Sequence, residues 1–573
     1  MKPKRAWTAL LFVTLVLLAG FSTYLSLTRI YQVDEYQAVY MARVFATGQS
    51  AEFFTTSSLF LFGPLSWLTK SRLDSAEMFT AARLVFLAVF WLNLMLVASI
   101  AGRKLVSIAG LVALAAATTL APLWDYGFEI RHDNVVLTGI LLTWWAVRIR
   151  PMQIWSYVIA GAVTIILLFT AVKTIVYAVP LSFAILVFPP PAYKRPRWQL
   201  ALLWLAGALL ALGVIRLCYG SGDAWNNYLS VFRGVTTYSA STGTTTRFWP
   251  GTTLGRLLNQ APLLLALTVA AGCTVATELW RRRLAAFTWN GNLPELLLLL
   301  GALTALLINP TPFPYNLVNV VPYAFILAFK YGESVWNELR THRQYWPLIV
   351  TVLLFIHIVP FVFATLRHLD KPNHRQTKLM NLAEELSHPT NDPVYDGIGM
   401  VPTRRSVHFQ WYLHSLIIRG MLDTPGMRVR EMLAARPAPV FIPSYRTDWL
   451  PPEDHEFIKH RYVPLADDFW VLGAVLPAGG GSFEIIHPGR YSIVTVTLKH
   501  GEETEALILD EGEVKGSLDG KAISSGPVEL GLGKHQIETA GEKQLAIVWI
   551  GPKLSQLPDV GVGNHRSLFV NWY

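Results

Sequence analysis

The chain has 573 residues, 53% of them hydrophobic and only 15% charged, which is more apolar than a soluble protein of this length carries. Its net charge of +10 comes from Lys and Arg grouped in short clusters between apolar runs, which argues against a nucleic-acid-binding face and for membrane topology. The two cysteines, Cys218 and Cys273, lie in or beside apolar segments and support neither a disulfide framework nor a cysteine metal site.

Met1 to Arg5 precede an apolar run from Ala6 to about Leu27. The run is long enough to cross roughly 30 Å of hydrocarbon and no small-residue cleavage site follows it, so it reads as a first membrane helix rather than a secretory signal. Further apolar stretches follow at 83–101, 105–123, 134–149, 154–172, 174–188, 199–217, 261–280, 293–308, 316–329 and 346–366. They predict a polytopic α-helical membrane protein with about 11 transmembrane helices over residues 1–366. Basic residues fall on alternate breaks: Lys2 to Arg5, Arg103 and Lys104, Arg148 and Arg150, Lys194 to Arg197, Arg281 to Arg283, and Lys330 to Arg343. Those breaks are expected to be cytoplasmic, which turns the loops at about 30–82 and 218–260 and everything after about 367 outward. A multi-pass protein of the cell (inner) membrane results, with a periplasmic or extracellular C-terminal part.

Within the second of those loops, Val235 to Arg247 is so rich in Thr, Ser and Gly that it reads as a mobile connector or a lid. Residues 367–476 mix amphipathic stretches, such as Phe409 to Met421, with short strand-like runs, and predict a soluble α/β region. Pro477 to Gly481 breaks that pattern. Residues 477–573 read as a C-terminal β-sandwich of short alternating strands, with turns at Leu518-Asp519-Gly520 and Gly531-Leu532-Gly533.

Two polar constellations carry candidate chemistry. Asp34 and Glu35 stand just beyond the outer end of the first apolar run, where Asp34 also suits the cap of a helix lying on the membrane. Asp125, Glu129, Arg131, His132 and Asp133 crowd a turn between two apolar stretches on the same side. Charges bordering hydrocarbon are costly and mark polar cavities or binding sites. Together the two turns suit transfer of a sugar from a lipid-linked phosphate to a hydroxyl. A carboxylate, Asp34, takes the acceptor proton, and a guanidinium, Arg131, neutralises the departing phosphate, with Lys173 adding a point charge.

The acidic pair Asp34-Glu35, the E-x-R-x-D arrangement of Glu129, Arg131 and Asp133, and the run from Pro314 to Pro322 (PYNLVNVVP) resemble the GT-C membrane glycosyltransferases. The likeness is to bacterial relatives of protein O-mannosyltransferases and lipid A aminoarabinose transferases. It covers residues 1–366. It implies a polyprenyl-phosphate sugar donor, an inverting single displacement with Asp34 as general base and Glu35 beside it, and an aromatic residue, Tyr315, near the donor phosphate with Arg131 and Lys173. The acceptor stays open among glycan, glycolipid and protein. The Glu-Lys-Pro stretch of aminoarabinose transferases is absent, Phe62-Gly63-Pro64-Leu65 standing in its place, and there is no Trp-Trp-Asp signature of an oligosaccharyltransferase.

A divalent cation is left open. Asp34, Glu35, Glu129, His132 and Asp133 are the available ligands, an oxygen-rich set that favours Mg or Mn over zinc. In the C-terminal module Trp470, Tyr491 and Trp549 are either core residues or platforms for sugar rings. The alternatives are a transporter or flippase of lipid-linked sugars, disfavoured by charges gathered at one face, and a glycan ligase or polymerase using lipid-diphosphate donors, for which Arg233 and Arg247 are the outward cations.

Overall fold

The computed structural model describes residues 3–47, 59–102, 104–148, 154–187, 189, 193, 195–218, 250–282, 293–308, 314–339, 346–407, 413, 426, 428–500, 505–510, 514–523 and 526–569. The segment Val235 to Arg247, Arg233, and nearly all of Phe409 to Met421 lie outside the described residues. The chain falls into two units: residues 1–29, 47–65 and 80–371, and residues 30–46, 66–79 and 372–573.

Helices dominate the first unit: α1 (Pro3–Thr28), part of α3 (Leu59–Thr69), most of α4 (Ser75–Gly102), α5 (Ile108–Thr118), α6 (Ala121–Tyr126), α7 (His132–Arg148), α8 (Ile154–Leu168), α9 (Ile175–Val187), α10 (Arg197–Cys218), α11 (Pro250–Gln260), α12 (Pro262–Arg282), α13 (Leu293–Ile308), α14 (Val321–Leu339) and α15 (Trp346–Leu369). The helix α2 (Val33–Ala46) belongs to the second unit. Every apolar stretch read from the sequence falls on one or two of these helices. Among the described residues, four have both the length and the apolar composition to cross a membrane: Arg5–Thr28, Ser75–Gly102, Arg197–Leu217 and Leu348–Leu369. The others are shorter or less apolar than that standard, so about 11 crossings exceed what helix length alone supports.

The first, third and fourth of these helices leave most of their apolar surface uncovered, with Phe12, Leu17, Leu209, Leu210, Phe355 and Phe363 all exposed. Such surface is stable only in a hydrocarbon solvent, and it identifies a membrane protein. Where helices do meet, small residues allow it. A methyl on Gly161 of α8 would sit 1.8 Å from the Trp204 carbonyl oxygen, and one on Gly207 of α10 would sit 1.9 Å from that of Val158. Backbone approaches backbone there, as lipid-solvated helices pack in the absence of a hydrophobic driving force.

Among its described residues the second unit has two sheets. Strands β1 (Val394–Tyr395), β2 (Val440–Phe441), β4 (Phe469–Leu476), β12 (Gln544–Trp549), β6 (Gly489–His500) and β10 (Val528–Leu530) lie in that spatial order; β3 (Tyr462–Ala466) also pairs with β4, and β7 (Glu505–Asp510) with β6. The smaller sheet runs β5 (Gly480–Ile485), β11 (Gly533–Thr539), β8 (Gly516–Leu518), β9 (Lys521–Ala522). Because β4 pairs with β12, one sheet runs across the boundary drawn from sequence between residues 476 and 477, joining the α/β region to the C-terminal strands. Tyr491 and Trp549 are core residues here, 1% and 3% exposed, with the Trp549 indole donating to the Leu386 carbonyl at 2.7 Å. Trp470 is half-buried and donates to the Asp467 carbonyl.

The early segment 30–46 is fastened into this unit. Gln376 accepts from the Tyr31 amide at 2.7 Å and donates to the carbonyls of Tyr31 and Leu568 at 3.0 and 2.9 Å, while Tyr36 packs edge-on against Phe79 and Phe569.

The turn expected at Asp519-Gly520 joins β8 to β9 with φ of 51° and 74°, the positive pair a two-residue hairpin requires and Asp-Gly supplies. Asp519 accepts from the His535 Nδ1 at 2.7 Å, and the other ring nitrogen faces the Gly531 carbonyl at 3.0 Å. Both partners are acceptors, so the doubly protonated ring suits the site and, against the opposing effect of partial burial, the His535 pKa is raised above its ordinary value. A raised histidine pKa stabilises the fold fully below the unfolded value and loses that contribution as pH rises through the folded one. Thermal melts should therefore show a larger gap between wild type and His535→Ala at pH 5.5 than at pH 8.5; a gap that is constant with pH would refute this linkage.

Candidate functional site

The crowded turn of the sequence is shaped by α6 and α7. The α6 helix ends at Gly127, and α7 begins at His132 with Asp133 in its first turn, where a carboxylate complements the helix dipole. The Asn134 amide closes the intervening loop by donating to the carbonyls of Tyr126 and Glu129, at 3.2 and 2.9 Å, and Asn93 of α4 donates to the Asn134 carbonyl.

Asp133, buried, is the hub. Lys173 reaches its Oδ1 at 2.5 Å, Arg131 Nε lies 3.5 Å from its Oδ2, and His132 Nε2 lies 3.7 Å away. The Arg131 guanidinium lies over the Tyr315 ring, 3.4 Å from its centroid, with the Lys173 ammonium 5.6 Å from the same ring. Tyr315 is presented by the 3-10 turn Pro314–Asn319, which also supplies Asn316 to Lys173 at 3.2 Å and Asn319 to Asp133 at 3.4 Å. Glu129, also buried, accepts from Arg29 at 3.2 Å and lies 4.0 Å from Arg131. Arg29, Arg131 and Lys173 thus face the carboxylates of Glu129 and Asp133.

The structure therefore brings Glu129, Arg131, His132, Asp133, Lys173 and Tyr315 together. It sends Asp125 elsewhere: that buried carboxylate accepts from Arg367 at 2.6 Å, His368 at 2.8 Å and Gln260 at 2.8 Å, tying α6 to the ends of α11 and α15. Arg29, Asn316 and Asn319 join the cluster unforeseen. A lone Arg ending an apolar run and asparagines in a short turn look, in sequence, like ordinary boundary residues. Arg29 is held in turn by buried Arg83, which donates to the Arg29 carbonyl at 2.7 Å. An arginine inside the apolar run of α4 was the one available signal.

Asp34 and Glu35 lie in the second unit, in the first turn of α2. Glu35 is fully buried and accepts from the Gln32 amide at 2.8 Å, closing the start of its own helix; this is the capping role the sequence had suggested for Asp34. Asp34 is partly exposed. As for a metal, no group of three or more His, Cys, Asp or Glu side chains able to hold one occurs among the described residues. Glu129 and Asp133 are instead faced by arginine and lysine cations, an arrangement that does not fit a divalent ion.

No protein-family model and no curated protein matches the chain. Matches do exist among solved structures. The oligosaccharyltransferase of Archaeoglobus fulgidus in its apo form aligns with 91% of this chain and 76% of its own length, at 11% identity and a TM-score of 0.48. These neighbours are archaeal oligosaccharyltransferases. The form tethered by a disulfide to an acceptor peptide containing the NVT sequon gives the same coverages, 11% identity and a TM-score of 0.46. The complex with an inhibitory peptide and a dolichol-phosphate covers 93% of this chain and 76% of its own, at 12% identity and a TM-score of 0.43.

Proposed function

We propose that the chain is a GT-C-type membrane glycosyltransferase that moves a single sugar from a polyprenyl-phosphate donor to an acceptor hydroxyl on the extracytoplasmic side of the cell membrane. The observation that carries this reading is the meeting of Arg131, Lys173 and Tyr315 around Asp133. They come from three separate breaks between apolar helices and gather two cations and an aromatic ring there. A guanidinium and an ammonium brought together at helix junctions suit an anionic headgroup whose tail stays in lipid.

The chemistry follows from charge development. As the acceptor oxygen attacks the anomeric carbon, the bond from that carbon to the phosphate oxygen breaks, and the lipid phosphate leaves with the electron pair. Arg131, seated over the Tyr315 ring, brings a planar fork suited to two phosphate oxygens, and Lys173 adds a compact charge; both strengthen their hold as the phosphate gains charge. Asp34 takes the hydroxyl proton, and the single displacement inverts the anomeric configuration. Asp133, Glu129, Asn316 and Asn319 orient the cations. Mg or Mn enters no step of this mechanism. The acceptor is a glycan, a glycolipid or a protein.

The deciding experiment is transfer of radiolabelled sugar by purified protein in nanodiscs, comparing a panel of polyprenyl-phosphate sugars with the corresponding nucleotide sugars. Label should move to acceptor from at least one polyprenyl-phosphate donor and from no nucleotide sugar. Transbilayer movement of the labelled lipid without transfer would replace this reading with the flippase.

A further inference from the structure

We infer that the second unit carries a carbohydrate-binding site at the turn from Ser444 to Trp449, with Asp467 and His565 beside it. The sequence left Trp470, Tyr491 and Trp549 as either core residues or sugar platforms, and the latter two are core. Among the described residues of this unit, the exposed indole is that of Trp449, 43% exposed on the 3-10 turn Thr447–Trp449.

That exposure is not looseness. The Ser444 amide donates to the Thr447 hydroxyl at 3.0 Å, the Thr447 amide donates back to the Ser444 carbonyl at 2.9 Å, and buried Arg446 donates to the Leu413 carbonyl. Tyr445 braces the indole edge-on with ring centroids 5.8 Å apart, and the Arg446 guanidinium stands 5.6 Å from the Trp449 ring. A large apolar face is thus held rigidly in water, so little ordering entropy is lost when something lies on it.

The neighbours of the indole select the ligand. Asp448, adjacent in the chain, accepts from His565 Nε2 at 3.1 Å and faces Arg566 Nε at 3.4 Å, while His565 Nδ1 meets Asp467 at 2.6 Å. Both aspartates keep over a third of their side-chain surface open. Carboxylate acceptors fixed by His565, one of them on the indole's own turn, suit a pyranose, whose C–H face stacks while its hydroxyls donate. Two exposed carboxylates at the rim disfavour the anionic headgroups and hydrocarbon of a membrane surface, the other natural partner of an exposed tryptophan. This site stands apart from the proposed transferase reading, because binding needs neither donor nor turnover.

The test uses the full chain in nanodiscs, titrated separately with maltohexaose, cellohexaose and mannohexaose and followed by saturation-transfer NMR and tryptophan fluorescence. At least one probe should bind saturably, Trp449→Ala should weaken it by roughly tenfold or more, and Trp449→Phe should retain most of the affinity. Equal affinity in a folded Trp449→Ala protein overturns the proposal, as does the absence of saturable binding of all three probes to wild type. Quenching by brominated lipid that disappears in Trp449→Phe would seat the indole in the bilayer and equally overturn it.

Discussion

Arg131→Ala is expected to lower sugar transfer from a polyprenyl-phosphate donor by roughly a hundred- to a thousandfold, the effect of removing one donor aimed at developing charge. The prediction rests on the placement of Arg131: its guanidinium lies 3.4 Å from the Tyr315 ring centre and 3.5 Å from Asp133, so its orientation is fixed before any ligand arrives. Arg131→Lys should recover only part of the loss, because an ammonium keeps the charge but neither grips two oxygens nor stacks on the ring. Tyr315→Phe should transfer nearly as wild type, and Tyr315→Ala should not, if the ring serves as a support for the cation. Initial rates at saturating donor, together with donor binding measured separately, check this. Wild-type rates in a folded Arg131→Ala protein would remove the cluster from the reaction.

Asp34→Asn should reduce transfer by roughly a hundred- to ten-thousandfold, the range a positioned general base contributes. The adjacent carboxylates divide by burial. Glu35 is enclosed and accepts from the Gln32 amide, whereas Asp34 is partly exposed. The two substitutions should therefore differ in kind: Asp34→Asn loses rate with the melting temperature retained, and Glu35→Gln loses stability through a weakened helix start, about 1 kcal/mol for a cap. Equal losses of rate and of melting temperature in both variants would falsify the division of roles.

The helices were legible because lipid demands long apolar runs, and composition alone records them. The cation cluster was half legible. Glu129, Arg131 and Asp133 announce themselves by crowding charges into one short turn, and Lys173 by interrupting an apolar run. Asn316, Asn319 and Arg29 carry no such signal, since an asparagine or a single terminal arginine costs nothing in water and becomes informative only once its partner is known. Register was the least legible. Residues 367–476 read as one region and residues 477–573 as another, because local alternation says nothing about which distant strand completes a sheet; the pairing of β4 with β12 is fixed by tertiary packing.

That same pairing sets the timetable of synthesis. In the larger sheet β12 lies between β4 and β6, so β4 emerges from the ribosome without its eventual neighbour and waits for almost all of the remaining chain. The wait of Tyr31 is longer, its bonding partner Gln376 lying 345 residues downstream. Assembly of the second unit is therefore delayed until its C-terminal strands have been made, and until then segment 30–46 and the edge of β4 stay open to wrong partners. Chains stopped short of residue 544 should be recognised by quality-control proteases however well their membrane helices have been inserted.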